Sequence, residues 1–218
     1  NTITTVTKAI QVIGTRSIYD LVLAYGVANA FKDINPEIIS LEYFWEHAVS
    51  CALLSKFLAE KIGVKESEKL FVCGLLHNIG ELVLVQLKPE VALTCTNISA
   101  EYPPLKMQMK HLGFNYTDVS AELLNLWGIP AEISHIVSNT HVSETLAKSN
   151  EERILQLAYI VSLNNLNSEI YAPYNDVTEK MLEELGLEKE DVDNALDFSN
   201  LQLMNTLALF SPSSFAMF

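Results

Sequence analysis

Five histidines are the side chains of this 218-residue chain best suited to chemistry, because imidazole both ligates metals and exchanges protons near neutral pH. His47 follows Trp45 by two residues, and His77 lies inside Gly74-Leu75-Leu76-His77-Asn78-Ile79-Gly80. His135 and His141 fall on or just beyond a later helical stretch, and His111 precedes Gly113 in an expected loop. Facing helices that bring imidazole and carboxylate together can hold a divalent metal and polarise a water or a phosphate. Carboxylate is what this pattern lacks. Asn78 stands beside His77, and a neutral amide is a weak ligand for a hard cation. Glu81 lies four residues after His77, but the apolar residues around it leave its facing open. On spacing alone, the histidines read as polar groups satisfied in a helix interface, with Asn78 capping or cross-linking helices by hydrogen bonds.

The elements that must position these residues are helices. Ile3, Val6, Ile10 and Ile13 recur at helical spacing up to Gly14, and Ser17 can cap a second helix that presents Ile18, Leu21, Tyr25, Ala28 and Phe31. A long helix is expected from Ser40 to Gly63, carrying His47. Another is expected from near Ser67 through Phe71, Leu75, Ile79 and Val83 toward Pro89. Gly74 and Gly80 inside it would each cost roughly 1 kcal/mol relative to Ala, so they imply close helix contact or a shaped site. Helices are expected over Thr117 to Trp127 and Pro130 to Thr140, with Trp45 and Trp127 as core anchors. Ser149 and Glu152 form a capping box, Asp176 and Glu179 repeat it, and a last helix runs from about Glu188 to Phe210. No strand alternation appears, so the fold class is all-α, a bundle of about ten helices.

Composition narrows the function. Fourteen basic against 27 acidic side chains give a net charge of −13, which argues against a nucleic-acid partner. Stretches such as Leu21 to Phe31 and Leu82 to Leu87 are shorter than the ~20 residues that cross a bilayer, so a soluble protein with no membrane contact is expected, and the cysteine usage adds a cytoplasmic location. Cys51, Cys73 and Cys95 form no Cys-x-x-Cys pair and read as reduced core thiols. Residues 166–218 hold ten acidic and two basic groups, so the acidity concentrates beyond the histidines. The expected organisation is a main helical domain over residues 1–166 and an acidic C-terminal helical extension over residues 167–218.

Gly74 to Gly80 resembles the Gly-Leu-Leu-His-Asp-Ile-Gly signature of HD-type metal phosphohydrolases, and more narrowly of their HDOD relatives, the HD-related output domains of bacterial signalling proteins. Phe44-Trp45-Glu46-His47-Ala48, Ile3 to Gly14, and Leu123-Leu124-Asn125-Leu126-Trp127-Gly128-Ile129-Pro130 resemble further elements of that family, and the likeness runs from about Ile3 to Leu166. It implies an HD-like multi-helix bundle with His47, His77 and His141 as the surviving candidates for metal ligation. The family's paired aspartate is Asn78 here, a frequent loop histidine is Tyr116, and a His-His pair is Thr140-His141. Where catalytic relatives supply a final aspartate, Leu155 to Leu163 has none. The resemblance therefore implies no catalytic residue. Its metal site is vestigial, lined by Asn78 and Tyr116, and at most a divalent transition metal is held on three imidazoles. The family's helices that precede the Ile3 stretch are expected to be missing. The function implied is a non-catalytic regulatory module that binds a signalling protein; the alternative is a metal-dependent phosphohydrolase acting on a nucleotide or cyclic dinucleotide.

Overall fold

The computed structural model describes residues 26–27, 29–31, 33–141 and 149–208. The helix expected over Ile3 to Ile13 lies outside them, and of the one expected over Ser17 to Phe31 only its end is described, with Val27 and Phe31 buried. Ten helices follow: α1 (Leu41–Lys61), α2 (Ser67–Leu76), α3 (Ile79–Leu87), α4 (Pro89–Cys95), α5 (Pro104–His111), α6 (Tyr116–Leu126), α7 (Ala131–Ser138), α8 (Asn150–Leu166), α9 (Glu179–Leu185) and α10 (Lys189–Leu207). Among the described residues there is no strand, so the fold is all-α.

The central element is α1, whose sequence is apolar almost all round and which is buried accordingly, packed by α2, α8 and α10. Ser40 starts it by accepting a hydrogen bond from the Tyr43 N–H at 3.2 Å, and Gly63, at φ +78°, turns the chain out of it. α2 crosses α1 backbone against backbone at Gly74, where a Cβ would lie 2.5 Å from the Ala52 Cα. That close approach carries His77 to the level of His47.

The single helix expected from Ser67 toward Pro89 is two. The His77 Nδ1–H donates to the Gly74 carbonyl at 2.6 Å, taking the acceptor that a continuing helix would offer the Asn78 N–H. Asn78 leaves helical geometry, and α3 restarts with the Glu81 N–H on its carbonyl. Taken end to end, Ser67–Leu87 is long and apolar enough to cross a membrane, contrary to the expectation that no stretch reaches that length. This break and the burial of most of the segment inside the protein identify it as a core element.

α3 then packs on α6 through Gly80, whose N–H donates to the Ser120 Oγ at 2.8 Å while that hydroxyl donates to the Tyr116 carbonyl at 2.9 Å. A Cβ on Gly80 would collide with the Tyr116 carbonyl and the Ser120 nitrogen. Gly80→Ala is expected to destabilise the fold by about 1 to 3 kcal/mol, seen as a lower urea midpoint at unchanged slope.

Other expectations are corrected. Pro89, expected only to end the helix before it, opens a short helix, α4, as Pro104 opens α5, at a position where a missing N–H is no loss. The cap of α9 is Thr178, whose Oγ1 accepts from the Met181 N–H at 3.2 Å, because Asp176 sits in a left-handed turn at φ 60°. Trp45 is a core residue, but Trp127 is 40% exposed at the end of α6. The Ser149–Glu152 box is present, and all three cysteines are buried and unpaired.

α9 and α10 join the same core through Leu185, Leu187, Val192 and Ala195. Lys61 pairs with Asp191 at 2.7 Å, Arg153 with Glu184 at 3.0 Å, and the Ser50 and Ser199 hydroxyls meet at 3.2 Å.

Candidate functional site

α1, α2 and α8 each deliver one ring to a common point. His47 from α1 and His77 from the end of α2 lie edge to face with centroids 5.3 Å apart. Tyr159 from α8 packs on both, at 5.4 and 5.5 Å, and His141 meets it edge to face at 4.4 Å. The structure thus brings together the three histidines singled out by sequence, but each of them meets Tyr159. His111 and His135 stand apart: both are exposed, and His135 lies 3.4 Å from Glu152.

Both core imidazoles are held neutral. Burial pushes His47 down to about 3, with the neighbouring His77 adding to the effect and the Tyr159 carbonyl opposing it. Burial likewise pushes His77 down to about 4 against the Gly74 carbonyl. With its Nδ1 proton on that carbonyl, His77 turns a bare Nε2 inward, and neither that atom nor the Nε2 of His47 has a hydrogen-bond partner among the described residues.

Two unpartnered imidazole nitrogens are what a transition metal would seek, yet the donors around them do not complete a site. Among the described residues no group of three or more His, Cys, Asp or Glu side chains converges on a point that could hold a metal ion. The helix that the family resemblance assigns a final aspartate offers the Tyr159 ring. Asn78, which the family resemblance sets at the paired-acid position, donates its amide N–H to the Glu81 Oε2 at 2.6 Å. These residues do not fit the two-metal centre of a phosphodiesterase, which needs bridging carboxylate.

Beside the rings opens a cleft of about 240 Å³ between the Ile38–Ile39 segment, α1, α3, the α4–α5 region, α6 and α8. Asn78 and Tyr116 both line it, as expected from the sequence, together with His47, Tyr43, Tyr159 and Glu81. Gln108 fixes the entry of α6 by accepting the Tyr116 N–H at 2.8 Å. Tyr43 and Asn167 exchange hydrogen bonds at 2.9 and 2.6 Å, tying α1 to the end of α8.

Glu81 and Tyr159 are the residues that sequence reasoning set aside or missed. The break at His77–Asn78 rotates α3 relative to α2, so Glu81 faces the cleft. Burial pushes its carboxyl up to about 7, partly offset by the Asn78 hydrogen bond. Above pH 7 the folded state therefore carries a charge that it disfavours, and below about pH 4.5 that penalty is gone. Glu81→Gln is expected to stabilise the protein by about 1 to 2 kcal/mol at pH 8 and to change little at pH 4.5, read from urea midpoints at the two pH values.

Known proteins share this fold. The structure superposes on that of a provisionally named signal transduction protein from Marinobacter aquaeolei VT8 with a TM-score of 0.77 and 21% identity, over 96% of this chain and 48% of the other. A provisionally named phosphohydrolase from Shewanella amazonensis SB2B gives 0.74 and 22%, over 96% and 78%. An uncharacterised protein of Treponema pallidum (strain Nichols) is 22% identical over 192 residues, 85% of this chain and 36% of its own length, so the chain spans about a third of that relative. The HDOD domain model matches residues 1–143, well over half of the sequence and including His47, Asn78 and the Tyr159-facing His77 and His141; the chain belongs to the HDOD domain family.

Proposed function

We propose that this chain is a non-catalytic regulatory module of a bacterial, cytoplasmic signal-transduction protein, acting by binding a partner protein through its helical surface. The observation that carries the reading is the fate of the acid positions. Asn78 is committed to Glu81, and the helix from which the family resemblance expects a final aspartate presents Tyr159 to the histidines instead. His47, His77 and His141 are then the vestige of a metal site that now serves as packing. The signal-transduction name of one structural neighbour supports the same reading. Among the described residues no Lys or Arg lines the cleft, so none of them offers a phosphate ester a cation.

The competing reading, a phosphohydrolase, draws on the name of the other neighbour and on the two unpartnered Nε2 atoms. A turnover assay with Mn²⁺ or Fe²⁺ on a cyclic dinucleotide and on a simple phosphodiester separates them. Equal background rates for wild type and His77→Ala are expected. Turnover that disappears in His77→Ala would overturn the proposal, and a partner whose capture ignored every surface substitution across the domain would count against the binding role.

A further inference from the structure

We propose that the cleft beside the histidines binds a small organic cation, a protonated alkylamine, with its ammonium on Glu81 and among the tyrosine rings. Four observations point there. The cleft measures about 240 Å³, below the roughly 300–1,000 Å³ typical of drug-sized sites, so its ligand is small. Among the described residues that line it, Glu81 is the one carboxylate, and no Lys or Arg is among them. Glu81 has only half of its carboxylate engaged: Oε2 accepts from Asn78, and Oε1 makes no hydrogen bond or ion pair among the described residues. Finally, the Tyr43, Tyr116 and Tyr159 phenols line the same cleft, and the Glu81 charge adds to burial in raising their hydroxyls.

A carboxylate with no counter-ion among the described residues, in a cleft that three phenol rings also line, recognises ammonium by a charge-assisted hydrogen bond and by attraction to the rings. Ile38, Ile39 and Leu163 supply an apolar wall for the alkyl part. An anion is repelled by the same carboxylate. A hard divalent metal ion, which takes six or more oxygen ligands or several waters, finds one free carboxylate oxygen among the described lining residues, the rest being neutral hydroxyl, amide and phenol oxygens. The inference deepens the regulatory reading by giving the module an input, and it rests on that reading only for the consequence of binding, not for binding itself.

The probes are n-butylammonium, the neutral isostere n-butanol, and inorganic phosphate, titrated into the full chain at pH 8 by calorimetry with tyrosine ring signals followed by NMR. Saturable butylammonium binding is expected, with a dissociation constant in the roughly micromolar to millimolar range. It should shift the signals of Tyr43, Tyr116 and Tyr159, run at least tenfold tighter than butanol, and fall at least tenfold in Glu81→Gln. Tyr43→Phe, which keeps the ring, should retain most of the affinity. Absence of saturation by butylammonium, equal affinity for butanol, unchanged affinity in a folded Glu81→Gln, or phosphate binding in the same cleft would each overturn the proposal. Failure here leaves the non-catalytic reading standing, whereas metal-dependent turnover would sink that reading and leave amine binding untouched.

Discussion

Acidification from pH 6.5 to pH 4 is expected to cost this protein about 3 kcal/mol of stability, a large part of the roughly 5–15 kcal/mol that holds an ordinary domain folded. The cause is the buried pair His47 and His77, held at about 3 and 4 in the folded state against an ordinary 6.5. Because the folded values are depressed, the unfolded chain takes up protons first as the pH falls below 6.5, and stability is lost down to the folded values. Glu81 works in the opposite direction, since its raised value makes the folded state protonate first between about 7 and 4.5. Two imidazoles against one carboxyl leave a net loss. A maximum near pH 6.5 follows, with a shallow decline above it and a steep one below. Urea midpoints at pH 6.5, 5.5 and 4 check this, and NMR of the imidazole signals should show His47 and His77 still neutral at pH 5. Midpoints that stay level to pH 4 would contradict the burial of neutral imidazoles.

Replacing Tyr159 with alanine is expected to cost about 3 to 5 kcal/mol, because the ring is the shared neighbour of His47, His77 and His141 and its removal leaves a hole that three helices cannot close. Tyr159→Phe keeps the ring and should cost less than about 1.5 kcal/mol. The contrast separates a packing role from one that depends on the hydroxyl. Denaturation of both variants at pH 7 reads it directly; a loss below about 1 kcal/mol in Tyr159→Ala would mean that the ring is not what fills the histidine site.

Much of this was legible in the sequence, for identifiable reasons. Helical periodicity and end signals placed α1 between Ser40 and Gly63 and found the Ser149 box of α8, since caps and a left-handed glycine leave local marks. Gly74 and Gly80 announced close helix contact because nothing else justifies glycine inside a helix, and both lie where a Cβ would meet a neighbouring backbone. What stayed hidden was set by tertiary geometry. The break at His77–Asn78 comes from a side chain capturing a helix carbonyl, and periodicity carries no record of that bond. The break decides the facing of Glu81, so its place in the cleft was out of reach. Tyr159 read as one more apolar position on α8, and only the assembled bundle sets it among three imidazoles. Trp127 misled for a simpler reason: a large aromatic at a helix end is usually buried, and this one is partly exposed beside the 82% exposed Leu126.

The central claim, that the histidine cluster no longer supports metal-dependent hydrolysis, is tested most directly by metal stoichiometry. Purified chain incubated with Mn²⁺ or Fe²⁺, passed through gel filtration and analysed by mass spectrometry for metal should retain well below one equivalent, in wild type and His77→Ala alike. Two tightly held equivalents in the wild type, lost together with phosphodiester turnover in His77→Ala, would contradict it.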